Sequence, residues 1–181
     1  MQCRAKGLVP QRQLAEPRLK AAIAISPISS GIFGKESLSN ISIPTAIMSG
    51  SEDIIAPVVQ EQIYPFTWLA TKNKYLAMLV PGDHFSGSNL PHKKPKEPTI
   101  IEEFVGKRLA NGQPYIKAFT IAFIKVHLEQ DSEYQSYLTA SYARDISTPE
   151  LDFSLIRSLN IEALEQEYSE ILPVILPTLK K

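Results

Sequence analysis

The sequence predicts an α/β fold of about three parallel strands with crossover helices, followed by a helical C-terminal region. Two observations support this prediction. Three short apolar runs, each closed by glycine or proline, lie between residues 19 and 82, a pattern typical of strands buried on both faces of a parallel sheet. Most of the chain beyond residue 97 has the apolar spacing or the charge pattern of surface helices.

Length and composition exclude several classes of protein. The chain has 181 residues, of which 44% are hydrophobic and 21% charged, which suffices for one domain with a core. Its 19 basic and 19 acidic residues cancel, so no net field favours a nucleic acid or an anionic membrane as partner. The local basic run at 92–96 is interpreted as a solvated loop. Cys3 is the single cysteine of the sequence, which excludes an internal disulfide.

The first half of the chain supplies the predicted strands at residues 19–26, 43–49 and 74–80. Between the second and third strands, residues 57–70 have helical potential. Pro57 suits the first position of a helix, and Pro65 is expected to kink or split it. Strands separated by helical segments are joined by right-handed crossovers, and such connections make the sheet parallel.

The second half is predicted to be helical. Residues 97–110 form one helix that ends at Asn111-Gly112, and residues 114–129 form the strongest helix because their apolar side chains lie on one stripe. His127 falls near the end of this helix, where a solvent-facing or capping role is expected. Asp131 is expected to cap a further helix that extends to Tyr142, and residues 146–181 are predicted to be a helical, proline-containing tail.

Two strand ends carry the residues that suggest chemistry. Asp53 follows the second predicted strand and His84 follows the third. Because the carboxyl ends of neighbouring parallel strands lie side by side, we expect these side chains to be neighbours. A carboxylate that accepts a hydrogen bond from one ring nitrogen leaves the other nitrogen free as a general base. Taken alone, Asp53 would be interpreted as a capping residue before Pro57, and His84 as a polar loop residue; together they favour a catalytic pair.

Four segments, in their order and spacing, resemble the C-terminal half of predicted dienelactone hydrolases of the α/β-hydrolase superfamily. They are LKAAIAISPISSGIFG, IPTAIMSGSEDIIAP, PFTWLATKNKYLAMLVPGDHFS and PYIKAFTIAFIKVHLE, and the resemblance covers most of residues 2–145. It implies that residues 1–145 are the C-terminal portion of a hydrolase domain acting on carboxylic esters or lactones. It also implies that Asp53 is the triad acid and His84 the triad base. The adjacent carboxylates of Glu52 and Asp83 are expected to face solvent.

The nucleophile that this resemblance implies is missing from the sequence. It should lie in a G-x-S-x-G turn, or a cysteine equivalent, ahead of both Asp53 and His84. The serines Ser26, Ser29, Ser30, Ser51, Ser86 and Ser88 all lack the two flanking glycines, and Cys3 has no such turn around it. We therefore expect a chain that is inactive alone. Its upstream half has been lost, or a partner chain carries the nucleophile, or the chain is a non-catalytic remnant that binds another protein.

The sequence gives only weak indications of metal binding, of a partner chain and of the cellular compartment. The spacing of His84, His92 and His127 does not suggest metal ligands, and no cofactor is expected. The strand at residues 20–26 has no proline and no charge beyond Lys20, so we expect its open edge to form a homodimer or to bind a partner chain. Neither a secretory signal nor a run of about 18 apolar residues occurs. The cytoplasm is the default expectation, although a targeting signal upstream would change it.

Overall fold

A computed structural model describes residues 16–86 and 112–160, and also residues 162, 163 and 166. The strands are β1 (Ala22–Ile25), β2 (Thr45–Gly50), β3 (Lys74–Val80) and β4 (Asp152–Ile156). The α-helices are α1 (Ser30–Ser39), α2 (Tyr64–Trp68), α3 (Gln113–His127) and α4 (Ala140–Ile146). A π-helical segment (Val59–Ile63) leads into α2, and a 3-10 helix (Ser132–Leu138) precedes α4.

The four strands form one sheet in the order β1-β2-β3-β4. The first three are parallel, with Ala22 beside Thr45 and Thr45 beside Lys74. Helix α1 connects β1 to β2, and the π-helical segment with α2 connects β2 to β3. The predicted α/β class with three parallel strands is therefore confirmed.

Side chains from both faces of the sheet form the core. All six residues of β2 are buried, as expected for a central parallel strand. On one face, sheet residues pack against α3 and its aromatic side chains: Ala46, Met48, Tyr75, Ala77, Phe119 and Phe123. On the other face, Ile47 and Leu76 pack with Leu38 of α1, Phe66 of α2 and Leu69, which follows α2. Apolar burial on both faces stabilises the sheet and fixes the register of its strand ends.

The tail contains a strand where we predicted helix. Residues Asp152–Ile156 pair antiparallel with β3, with Leu76 beside Ile156 and Val80 beside Asp152. The expectation of a helical tail is wrong for this segment because Phe153 and Leu155 alternate with more exposed residues and are 2% and 4% exposed. That period of two fits a strand with one buried face. Most of the tail beyond residue 160, and the helix predicted at 97–110, lie outside the described residues.

Helix α1 was not predicted, since no helix was assigned between the first two predicted strands. Glycine weakens a helix, and Gly34 interrupts this one with a positive φ of 68°. A distant side chain supports its beginning. The carboxylate of Glu61 accepts hydrogen bonds from the amides of Ser29 and Ser30, at 2.7 Å and 2.9 Å. A cap supplied from the next crossover has no local signature in the sequence.

The helices after β3 follow the prediction more closely. Helix α3 spans Gln113–His127, against an expected range of 114–129. Asp131 does cap a helix, since its side chain accepts from the amide of Glu133 at 3.1 Å. That helix is the short 3-10 segment. Helix α4 has its own cap, because the hydroxyl of Thr139 accepts from the amide of Tyr142 at 3.2 Å.

Candidate active site

The turns that follow β2 and β3 are joined through their backbones. The amide of Ser51 donates to the carbonyl of Leu79 at 2.9 Å, and the amide of Glu52 donates to the carbonyl of Gly82 at 2.7 Å. A side chain at Gly50 would collide with the carbonyl of Gly82, so glycine is required for this approach. The contact brings the two segments that carry Asp53 and His84 together at the carboxyl end of the sheet.

The carboxylate of Asp53 is buried and fully hydrogen-bonded. Its Oδ1 accepts from the amides of Ile55 at 3.0 Å and Ala56 at 2.8 Å. Its Oδ2 lies 2.8 Å from Nδ1 of His84, and Oδ1 lies 3.1 Å from the same nitrogen. The side chain has no solvent exposure. Asp53 thus caps a turn and also contacts the histidine, so the two interpretations drawn from the sequence are compatible.

The contact with Asp53 fixes the tautomer of His84. An ionised carboxylate can only accept hydrogen bonds. Nδ1 of His84 therefore carries the proton and donates this hydrogen bond to Asp53. The ring of Phe85 packs edge-on against the imidazole, with centroids 5.0 Å apart. The side chain of His84 is 23% exposed, and its Nε2 has no hydrogen-bond partner among the described residues. This nitrogen is therefore available as a proton acceptor.

The two flanking carboxylates differ from each other. Glu52 is exposed, as expected. Asp83 is not directed to solvent, and that expectation is wrong: its Oδ1 accepts from the amide of Phe85 at 2.8 Å and from the hydroxyl of Ser86 at 3.0 Å. Its Oδ2 is buried and unpaired among the described residues. An aspartate followed by serine three residues later is a turn signal that the sequence analysis did not use.

A shallow cleft opens beside His84. Its walls come from strand ends and from α3 and β4: Ile25, Ser26, Met48, Ser49, Ile116 and Phe153. Ser26 directly follows β1. Its positive φ of 44° is strained for a residue with a side chain. Ser26 is nevertheless unsuited to be the nucleophile of a G-x-S-x-G turn. The next residue is Pro27, which has no N–H to stabilise an oxyanion.

His127 lies far from this pair in the fold, near the start of β3. Its Nε2 is 2.9 Å from the hydroxyl of Tyr75, and its ring is 4.8 Å from that of Phe123. Burial, and secondarily the charge of Arg157, lower the pKa of His127. The expected solvent-facing or capping role is wrong, because the last turn of α3 packs this side chain against an aromatic cluster.

Comparisons with known proteins identify no family for this chain: no protein-family model matches it, and no curated protein matches it. Within the described ranges, no cluster of three or more histidine, cysteine, aspartate or glutamate side chains could hold a metal ion. No helix in the described part of the chain is long and apolar enough to cross a membrane. His92, Ser88 and Cys3 lie outside the described residues.

Proposed function

We propose that Asp53 and His84 are the acid and the base of a hydrolytic triad that cleaves carboxylic esters or lactones. In this proposal the chain is the C-terminal half of an α/β-hydrolase of the dienelactone-hydrolase type. The observation that carries the proposal is the contact of 2.8 Å between a fully buried carboxylate and Nδ1 of a histidine whose Nε2 has no partner among the described residues. The two residues follow adjacent parallel strands, at the end of the sheet where α/β proteins bind ligands.

The reaction would proceed by acyl transfer to water. Nε2 of His84 takes the proton of a serine hydroxyl or cysteine thiol as that group attacks the ester carbonyl. The same proton then passes to the leaving alkoxide, which stays attached to the acyl chain when the substrate is a lactone. His84 next removes a proton from the water that attacks the acyl group, and it returns this proton to the serine or cysteine as the acid is released. Asp53 holds the ring in position and stabilises its positively charged form throughout.

The nucleophile is supplied from outside the described part of the chain in this proposal. None of the serines in that part lies in a G-x-S-x-G turn, and Ser26 is followed by a proline. A second candidate function is that of a protein-binding module without activity. It is favoured by the same lack of a nucleophile in the described part of the chain, together with β1, a terminal strand whose outer edge pairs with no described strand.

We predict that the chain alone hydrolyses p-nitrophenyl acetate no faster than its His84→Ala variant. An acid and a base without nucleophile and oxyanion hole have little transition-state charge to stabilise. Release of p-nitrophenol at neutral pH measures the rate. Turnover that disappears when one serine of this chain is changed would show that the nucleophile is already present and would contradict this part of the proposal.

The positive test supplies the nucleophile. A segment with an in-frame G-x-S-x-G turn, encoded upstream of Met1 or by a neighbouring gene, is joined or mixed with this chain, and p-nitrophenyl acetate hydrolysis is measured again. We expect turnover that falls about ten-thousand-fold on Asp53→Asn, because the histidine then loses its correct tautomer. Glu52→Gln, an exposed neighbour, is the matched control. If no such segment is encoded, or if Asp53→Asn has no effect, the binding-module function is supported instead.

A further inference from the structure

The outer edge of β1 has backbone groups that the described residues leave unpaired. On the inner side, the amides of Ala22 and Ser26 donate to the carbonyls of Pro44 and Met48 on β2, at 2.9 Å and 2.7 Å. Backbone direction alternates along a strand, so the N–H and C=O groups of Ile23 and Ile25 face the outer edge. The strand is terminal in the sheet order. The backbone groups of these two residues are therefore positioned to pair with another strand.

Exposed apolar side chains lie in β1 and close to it in the sequence. Ile25 is 53% exposed, and Leu19, just before the strand, is 61% exposed. Ile32 and Phe33, in the helix that follows, are both 54% exposed. Lys20 is the nearest charge in the strand's own sequence and precedes its first residue. Edges of natural sheets are usually blunted by inward charges, prolines or bulges, and β1 has none of these.

The opposite edge of the sheet is protected. On β4, the amide of Phe153 is occupied by the hydroxyl of Ser147 at 2.8 Å. Asp152 begins the strand, and Arg157 follows its last residue. These charges and the hydrogen bond make β4 a poor template for strand addition. The asymmetry between the edges restricts edge-to-edge association to β1.

The exposed edge of β1 is complementary to itself. A twofold axis through Ala24 places Ile23 of one copy opposite Ile25 of a second copy in antiparallel orientation, and the reverse pair forms by symmetry. Each such pair exchanges both of its backbone hydrogen bonds, and the branched side chains meet on the same face. Lys20 precedes the strand and the paired residues are apolar, so like charges do not meet within the pairing. The chain also has no net charge that would oppose association.

We propose that two copies of this chain associate through antiparallel pairing of their β1 strands, which joins the two sheets into one. The contact is isologous, so it closes as a dimer and does not propagate. Only two residues per copy face outward in the strand. The dimer should therefore be weak, with a dissociation constant in the range of about 1–100 µM. The proposal uses neither Asp53 nor His84, and it does not depend on the proposed function.

The test compares two equally exposed isoleucines by sedimentation equilibrium of the full chain. Ile25 at the edge is 53% exposed and Ile121 on α3 is 54% exposed, so Ile25→Lys and Ile121→Lys are matched changes. We expect Ile25→Lys to raise the dissociation constant at least about tenfold, because the symmetric dimer acquires two lysines beside apolar partners. Ile121→Lys should leave it unchanged. A wild-type monomer at about 200 µM, or dissociation by Ile121→Lys alone, would overturn the proposal.

Hydrogen exchange provides a measurement on the unmodified protein. The amides of Ile23 and Ile25 should exchange slowly at a concentration where the dimer forms and fast at a concentration where it dissociates. The amides of Ala22 and Ser26, which already donate to β2, should change much less. A dimer in which Ile23 and Ile25 exchange fast would place the interface elsewhere. Protection that is independent of concentration would mean that this chain itself, or another bound protein, covers the edge.

Discussion

The described part of the chain holds two histidines at opposite ends of β3, and they are held in different ways. His84 follows the carboxyl end of the strand, where a buried carboxylate contacts Nδ1 and no residue in the described part of the chain pairs with the other nitrogen. His127 lies near the amino end, where the hydroxyl of Tyr75 contacts Nε2 and the rings of Tyr75 and Phe123 pack against the partly buried imidazole. The first histidine is oriented but accessible. The second is packed against aromatic side chains of the core.

This difference shows what distinguishes a candidate catalytic histidine from a structural one. Lying at an end of a predicted element did not by itself separate them, and the sequence analysis favoured His84 only because Asp53 was expected beside it. The partner does separate them. A carboxylate fixes the tautomer and can stabilise the charged ring, whereas a phenol inside an aromatic cluster favours the neutral ring. Burial and the nearby guanidinium of Arg157 lower the pKa of His127 accordingly.

The largest expected effect comes from removing the carboxylate that defines the first site. Asp53→Ala leaves the amides of Ile55 and Ala56, and Nδ1 of His84, without their acceptor. We expect the free energy of unfolding to fall by about 3 kcal/mol, since unpaired buried donors cost about 1–3 kcal/mol each and water can reach some of them. Urea denaturation measures the change.

Glu52→Ala is the matched control for Asp53→Ala. It removes a neighbouring carboxylate that is exposed, so the free energy of unfolding should change by no more than about 0.5 kcal/mol. Equal losses in the two variants would mean that the hydrogen bonds of Asp53 contribute little to folding. In that case the comparison between an oriented histidine and a buried one would lose its structural basis.

The sequence predicted the contact between Asp53 and His84 better than it predicted helix α1 and strand β4. The pairing of Asp53 with His84 followed from two strand ends in a parallel sheet, because parallel neighbours bring their carboxyl ends together. The catalytic role remains a proposal. The orientation of Asp83 follows from a local turn with Phe85 and Ser86 that the sequence analysis did not use. The sequence could not indicate that Gly50 and Gly82 bring the two turns into contact, because this contact depends on the relative position of segments about thirty residues apart, which local patterns do not encode.

Helix α1 and strand β4 escaped prediction for related reasons. The helix contains Gly31 and Gly34 and obtains its N-terminal cap from Glu61, so its own residues favour a loop. The strand is a short alternating segment whose neighbours are charged, and such a segment is hard to separate from an amphipathic helix. Its identity depends on the free edge of β3, which only the folded sheet provides. Long, strongly periodic elements such as α3 were predicted because their signal is local.

A smaller effect on the free energy of unfolding should distinguish the two histidines directly. His127→Ala removes a ring that packs on Phe123 and one hydrogen-bond partner of the buried Tyr75 hydroxyl, which also interacts with Gln135 and Arg157, so we expect the free energy of unfolding to fall by about 2 kcal/mol. His84→Ala should cost about 1 kcal/mol or less. Asp53 keeps two amide donors there, and water can replace the partly exposed ring. Urea denaturation of both variants at neutral pH measures the difference. A greater loss for His84→Ala would show that the candidate catalytic residue is the more structural of the two.

The smallest expected effect is a dependence of stability on pH that originates at His127. Because the pKa of His127 is lowered in the folded protein, the unfolded chain binds a proton at this residue more readily, near its ordinary pKa of about 6.5. The contribution of the neutral ring is therefore complete above that pH and is lost as the pH falls through about 6.5 toward the lower folded value.

His127→Phe keeps an aromatic ring without the titration. The free energy of unfolding of the wild type should decrease more than that of His127→Phe between about pH 7.5 and pH 5, when both are measured by urea denaturation. Parallel pH profiles for the two proteins would mean that His127 has the same pKa in both states, and that its contacts with Tyr75 and Phe123 do not distinguish it from a solvated histidine.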